Sequence, residues 1–437
     1  MNILDDAPVR KAFWRLMPLI VVCYFVAYLD RANVGFAAVH MSRDIGLTAS
    51  AFGLGAGLFF LTYFFLEVPS NLMLARYGAR RWIARIMFTW GAASGAMAFV
   101  TNETSFFTLR LLLGAAEAGF FPGITYFVTL WFPAEYRARI MAFFLCAAPI
   151  SLSLGGPISG ALLGLDGLWG IPGWRWMFVI EALPAIALSF IVLRYLTDRP
   201  SDAEWLAPEE RIELSGRLAI EALHNSCKQH RSVFTALFNP TVLLFGIANF
   251  AIVVAAYGVS FFLPGIIKGF GLSDLQTGFL SAVPYALAAV SLVWWGRRSD
   301  ARLERRFHTL IPIVLASIGL AAAAMLVEPA ARMIAFSCAA IGCWAAMPVF
   351  WSLCFGNIPN KNAAGAIAVI NAIANLGGFA GPSIMGFFRD HTGGFMVGLL
   401  VLAGVNLVAA AIVLIVGGRH THQGVVAESG IASSQRA

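Results

Sequence analysis

Residues 16–38 read LMPLIVVCYFVAYLDRANVGFAA. As a helix rising 1.5 Å per residue this run spans about 35 Å, enough to cross the roughly 30 Å hydrocarbon core of a bilayer. Its only charges are Asp30 and Arg31, side by side and about 21 Å from the Leu16 end. A charge at that depth costs about 2.5–3.5 kcal/mol or more, so such residues face a bundle interior or a water-filled path rather than lipid. The stretch reads as a membrane span whose inner side holds a polar site.

The rest of the chain has the same character. It has 437 residues, 59% hydrophobic and 12% charged, with a mean hydropathy of +0.78. Soluble domains carry about a quarter charged residues, so this chain lacks the polar surface to sit in water. Cys23, Cys146, Cys338, Cys343 and Cys354 lie in apolar runs and Cys227 in a polar loop, none at metal-ligand spacing. The polar start, with Arg10, Lys11 and Arg15, precedes a run too long for a signal-peptide core, which predicts a retained first helix.

Apolar runs predict twelve spans: 16–38, 51–74, 83–101, 106–131, 141–164 and 175–196, then 240–267, 275–296, 308–327, 331–356, 363–387 and 395–417. The expected fold is an all-α polytopic membrane protein with an N-terminal six-helix bundle (1–196), a central loop (197–239), a C-terminal six-helix bundle (240–417) and a tail (418–437). An amphipathic surface helix is expected near 208–223, opened by Pro208 with Glu209 and Glu210 in its first turn. Lysines and arginines cluster on the side shared by both termini, against five on the other: Arg43, Arg175, Lys268, Arg332 and Arg389. The positive-inside rule then predicts both termini in the cytoplasm, and the net charge of +7 is topological, with no nucleic-acid partner implied. Arg80-Arg81 recurs as Arg305-Arg306, and Gly156-Pro157 as Gly381-Pro382, both 225 residues on. Two such halves related by an axis along the membrane normal put a substrate site between them near the midplane.

The chemistry sits in the first half. Arg110 and Glu117 lie in the fourth span, seven apart on one helix face with Gly114 between them, about 6 and 16 Å from the outer edge. Asp30 and Arg31 point about 100° apart, so Asp30 seeks a partner on another helix. Arg31, with Arg110, can hold an anion by the two-point fork a lysine lacks, while Asp30 and Glu117 take up protons. The bland alternative is a static ion-pair network, which stabilises poorly for its cost. Tyr28 and Tyr63 can offer hydroxyls or simply pack. In the second half Trp351, Ser352, Asn371 and Asn375 are polar but neutral, and the asparagines equally suit ligand contact or interhelical hydrogen bonds. Glu67, before Pro69, and Glu181, six after Arg175, sit nearer water and read as gate or structural ion pairs. Gly53-Leu54-Gly55-Ala56-Gly57 looks like a phosphate loop but follows no strand, so helix packing is the better reading. No catalytic triad, zinc motif or nucleotide-binding lysine motif occurs, and no histidine is assigned a role.

Together these features resemble the major facilitator superfamily, and within it the anion:cation symporter family. The resemblance rests on Tyr28-Leu29-Asp30-Arg31-Ala32-Asn33, Glu67-Val68-Pro69-Ser70-Asn71, the Arg110, Gly114, Glu117 series, Phe350-Trp351, and Asn375 through Pro382. It covers nearly the whole chain and points to bacterial members moving tartrate, phthalate, galactonate or nicotinate. It implies proton coupling at Asp30 and Glu117 and a substrate pocket of Tyr28, Arg31, Tyr63 and Arg110, joined by Trp351, Ser352 and Asn371 or Asn375. It also implies gating by Glu67, Arg80, Arg81, Asp300, Arg305 and Arg306. The superfamily's loop signature has a glycine and an aspartate where this chain has Asn71 and Ala75, while the second copy keeps Gly296 and Asp300. Some sugar-acid members carry a glutamine where this chain has Ala147-Ala148-Pro149, which favours a substrate less hydroxylated than an aldonate.

The resulting expectation is a symporter, not an enzyme, in the bacterial inner membrane. It would import a small organic anion with protons as the coupling ion, without a cofactor or metal, as a monomer. An anion exchanger or efflux antiporter is the alternative, suggested by Gly155-Gly156-Pro157 with Gly160. A non-transporting nutrient sensor is the alternative of another class.

Overall fold

In the computed structural model, residues 6–226, 238–358 and 363–416 are described; Cys227, His230, His420, His422 and the expected tail 418–437 lie outside them. The first half comprises α1 (Ala7–Ile45), α2 (Ala49–Tyr77), α3 (Ala79–Ala96), α4 (Glu103–Glu117), α5 (Phe120–Trp131), α6 (Ala134–Leu145), α7 (Ala147–Leu163) and α8 (Gly173–Tyr195). The surface helix expected near 208–223 is α9 (Pro208–Ser226). The second half comprises α10 (Pro240–Lys268), α11 (Asp274–Arg302), α12 (Arg306–Met325), α13 (Pro329–Asn357), α14 (Ala363–Thr392) and α15 (Met396–Val416). With α4–α5 and α6–α7 each forming one span, these make the twelve expected. Among the described residues eleven are long and apolar enough to cross a membrane; α3, 18 residues long with Arg80, Arg81 and Arg85 in its first turns, is less apolar.

Polar caps set where several helices begin. Asp6 accepts from the Val9 N–H, Thr48 from Ala51, and Asn239 from Thr241 and Val242. Capping boxes open α4 (Asn102 with Ser105) and α11 (Ser273 with Gln276). These side chains satisfy first-turn N–H groups that have no partner in their own helix. Helix α1 runs well beyond 16–38 at both ends. Its first turns leave the apolar slab and meet α9, through Lys11–Glu210 at 2.6 Å and Asp6–Arg217 at 2.7 Å.

The fourth span breaks where a continuous helix was expected. Ala118 is extended and Gly119 sits at φ +87°, leaving Glu117 as the last residue of α4. Pro122 explains the break, because its ring would clash with the carbonyl four residues back, at Ala118. Gly119 is required twice over: its φ is left-handed, and a Cβ there would stand 2.3 Å from Ser70 Oγ.

Each half packs within itself, α3 on α8 and α2 on α4 in the first, α12 on α13 and α10 on α14 in the second. The halves meet along α2–α14, α7–α11 and α1–α10. Successive spans alternate in direction, so one face of the bundle carries the start of α1, α9 and the end of α15. This is the terminal face, and its opposite is the distal face. Toward the distal face the halves touch backbone to backbone. A Cβ on Gly53 would lie 2.3 Å from the Pro382 oxygen, and one on Gly278 would lie 2.2 Å from the Gly156 oxygen. The glycine run 53–57 is helix packing, against α14 and Phe106.

Candidate functional site: an arginine–glutamate pair under an aromatic cavity

Between the halves lies a cavity of about 660 Å³. Its lining runs from Arg31 and Glu117 near mid-bundle to Arg139 and Phe143 of α6 and Gly296, Arg297 and Asp300 of α11, near the terminal face. The distal end is shut. There the Asp390 carboxylate of α14 accepts from the first two N–H groups of α2, Ala49 at 3.1 Å and Ser50 at 2.7 Å. His40 Nε2 lies 2.9 Å and Lys268 Nζ 2.8 Å from Asp274 Oδ1, joining α1, α10 and α11.

Arg31 is the centre of the site. One guanidinium nitrogen donates to Glu117 Oε1 in a tight ion pair, and the other donates to Tyr257 Oη at 3.2 Å. The rings of Tyr28, Phe59, Tyr63 and Phe60 surround it at 4.9, 5.2, 5.8 and 6.0 Å, close enough for cation–π attraction. Glu117 is 2% exposed and sits at the C-terminal end of α4, where the helix dipole is negative. Arg31 is its one ion-pair partner among the described residues. An anion entering the cavity meets a guanidinium already occupied by the protein's own carboxylate.

The other expected residues divide. Tyr28, Tyr63, Trp351, Asn371 and Asn375 line the cavity. Both asparagines also donate to Glu67, at 3.3 and 3.0 Å, so Glu67 of α2 bridges to α14 across the halves. Asp30 does not line the cavity. Being one residue from Arg31 it points into the first half, where it accepts from Trp90 Nε1 at 2.6 Å and Ser94 Oγ at 3.2 Å. Arg110 is likewise absent from the lining. Its guanidinium donates to the Gly55 and Ala56 carbonyls at 3.2 and 2.9 Å. Seven residues keep it on Glu117's face but about 10 Å nearer the distal end, where the halves are closed. Ser352 Oγ donates to the Pro348 carbonyl at 3.1 Å and is also outside the lining.

Three of the expected gating cations contact their own halves, and the fourth, Arg81, is exposed. The Arg80 backbone N–H donates to Asp198 at 2.7 Å, Arg305 pairs with Asp300 at 2.6 Å, and Arg306 donates to the Leu414 carbonyl. Glu181 makes no ion pair among the described residues and accepts from Ser159 Oγ at 2.7 Å.

The sequence reading missed Tyr257, Asn249, Tyr285 and Trp344, all of which line the cavity. A signal existed for Tyr257, which follows by one residue the position 225 after Arg31 in the repeat.

Residues 20–382 match the Major Facilitator Superfamily. A protein from Agrobacterium vitis named for tartrate transport is 46% identical over 95% of this chain and 92% of its own. One from Acinetobacter baumannii named as a quinolone resistance transporter is 39% identical over 93% of this chain and 94% of its own. Among solved structures, a bacterial homolog of the human lysosomal transporter Spinster superposes with a TM-score of 0.75 at 16% identity, covering 92% of this chain and 96% of that one. With twelve spans in two halves around a central cavity, this chain belongs to the major facilitator superfamily and is a multi-pass membrane transporter rather than an enzyme.

Proposed function

We propose that this transporter is a proton-coupled symporter that imports a small organic anion across the bacterial inner membrane. It would act as a monomer with no cofactor beyond the coupling proton. The observation that carries the reading is the Arg31–Glu117 pair in the cavity wall. While Glu117 is ionised it neutralises Arg31. Once protonated it releases the fork, and a substrate carboxylate can take its place in two-point geometry. Separating a buried pair without replacement costs about 3–5 kcal/mol, so proton and anion bind together or not at all.

The cavity supports a substrate class. One arginine can hold a carboxylate, hydroxyls of Tyr28, Tyr63 and Tyr257 and amides of Asn249, Asn371 and Asn375 can hold polar groups, and the aromatic walls suit a flat body. A hydroxy-dicarboxylate, sugar acid or aromatic carboxylate fits this chemistry, and the relative named for tartrate transport favours the first. The distribution of lysine and arginine supports a cytoplasmic terminal face. The shape is then inward-open, with Asp390, His40 and Asp274 in the external closure and Asp300–Arg305 at the cytoplasmic mouth. Glu67 is proposed as a movable link, since its asparagine bonds cross the halves.

Proteoliposomes with an alkaline lumen test this. Labelled tartrate or a related acid should accumulate above equilibrium, and collapse of the pH gradient should abolish the accumulation. Accumulation driven by an outward gradient of a second anion at uniform pH would instead establish exchange. The relative named as a quinolone resistance transporter favours a second reading, efflux antiport. For that reading substrate addition would release protons from the lumen rather than bring them in.

A further inference from the structure

Four acids lie within the spans of the first half, and three have donors that suit a carboxylate. Glu117 has Arg31, Glu67 has two amides, and Asp30 has an indole, a hydroxyl and an amide. Glu181 of α8 is the exception. It is 2% exposed; Oε1 accepts from Ser159 Oγ, Oε2 is buried and makes no hydrogen bond among the described residues, and the neutral Asn33 amide is its other polar neighbour.

The elements packed on α8 bring it no cation. Helix α1 presents Asp30 and Asn33 and, at its distal end, Asp44, which accepts from Trp174 Nε1 of α8 at 2.7 Å; α7 presents Ser159. Helix α3 presents Trp90 and Ser94 to Asp30, and its charged residues Arg80, Arg81 and Arg85 lie toward the terminal end. On α8 itself Arg175 is six residues distal, stacked over the Trp174 ring at 5.0 Å. No ion pair of Glu181 occurs among the described residues. An isolated buried carboxylate is prohibitively costly, and two without a cation cannot both be ionised. Asn33, 1% exposed, stands between the two acids and donates to Asp30 at 3.5 Å. Asp30 and Glu181 are thus two buried carboxyls on either side of Asn33, with no cation paired to either among the described residues.

The pair leads toward the distal seam. Ser159 precedes Gly160, whose Cβ would stand 2.6 Å from the Asp274 carbonyl of the opposite half. Parting α7 from α11 would open the Ser159–Glu181 end first, with Asp30 behind it.

We propose that Glu181 is a proton-holding site, coupled to Asp30, on the route by which protons enter from the distal face. The proton leaves the Glu181 carboxyl for the Asp30 carboxylate, and Glu181 regains one from distal water when the seam opens. This rests on the proton-coupled reading above.

The test is Glu181→Gln in proteoliposomes. Glutamine keeps the shape and the Ser159 contact but carries no proton. Substrate counterflow at uniform pH should stay within about twofold of the unsubstituted protein, while uptake driven by a pH gradient should fall tenfold or more. A folded variant unchanged in both, or one that loses counterflow in step with uptake, overturns the proposal. Should the variant fail to fold, pH-difference infrared spectra of the unsubstituted protein and Ser159→Ala decide it without transport. Loss of the Ser159 bond should shift one protonated-carboxyl band, and an unshifted spectrum means Glu181 holds no proton. An unsubstituted protein with no pH-driven uptake overturns the symport reading, whereas the infrared result still reports on Glu181.

Discussion

Removing the Asp390 carboxylate should tip the protein toward its distal-open form. In the closed form Asp390 reaches across from α14 to accept from the Ala49 and Ser50 N–H groups, the orphan donors at the start of α2. These bonds exist only while the distal ends touch; once apart, water solvates both sides. Hydrogen bonds to charged groups contribute about 1.5–3 kcal/mol, and the helix dipole adds some tenths more. Asp390 is exposed, which lowers the sum, so about 1–2 kcal/mol is the expected loss on Asp390→Ala. That corresponds to a roughly 5–30-fold shift in the ratio of distal-open to distal-closed molecules. Spin labels at Arg43→Cys and Thr392→Cys, in a cysteine-depleted background, read this ratio as two distance populations by electron–electron double resonance. The short-distance population should shrink in the variant and the long one grow. Identical distributions in the presence and absence of the carboxylate would refute the latch, and with it the view that Asp390 holds the distal seam.

Other expectations concern the site and its supports. Arg31→Lys keeps a charge for Glu117 but cannot grip a carboxylate at two points, so binding should weaken about 10–100-fold by titration calorimetry. Unaltered affinity would move the anion site elsewhere. Gly278→Ala places a methyl 2.2 Å from the Gly156 oxygen and should block distal closure, trapping the distal-open population in the same spin-label assay. A variant that still closes would show that the backbones have room to part. At the N-terminus, burial raises the Asp6 carboxyl, but Arg217 and the Val9 N–H outweigh this and hold it below the usual carboxylate range. The contact's stability is therefore present above the ordinary aspartate pKa and lost as pH falls through the lowered value. Amide exchange in the first turns of α1 should rise below about pH 4, and Arg217→Ala should raise it at neutral pH. Exchange indifferent to both would mean that α9 does not hold α1.

Much of the fold was legible because its determinants are local. Span lengths follow from apolar runs, and caps such as Asn102 and Ser273 announce their helices. The 225-residue offset predicted two halves. The adjacency of Asp30 and Arg31 required that they diverge, though not that Trp90 would be waiting for Asp30. What stayed hidden depends on which face a neighbouring helix presents. Arg110 shares Glu117's face and its axial offset of about 10 Å could be counted, but that the halves close at its depth and α2 carbonyls meet it there is in no pattern along one helix. The break at Gly119 carried a signal in Pro122, four residues beyond Ala118. Tyr257 had only the repeat to mark it. The partners of Glu67 could not be read at all, since they lie some 300 residues away in the other half.

Substrate affinity against pH, in the unsubstituted protein and in Glu117→Gln, bears most directly on the competition for Arg31. If a proton must vacate the guanidinium, the Kd of the unsubstituted protein should rise up to about tenfold per pH unit above the carboxyl's titration. The glutamine variant should bind tightly at every pH and exchange substrate while losing uphill accumulation. Equal pH slopes for the two proteins, with accumulation intact in the variant, would contradict the account.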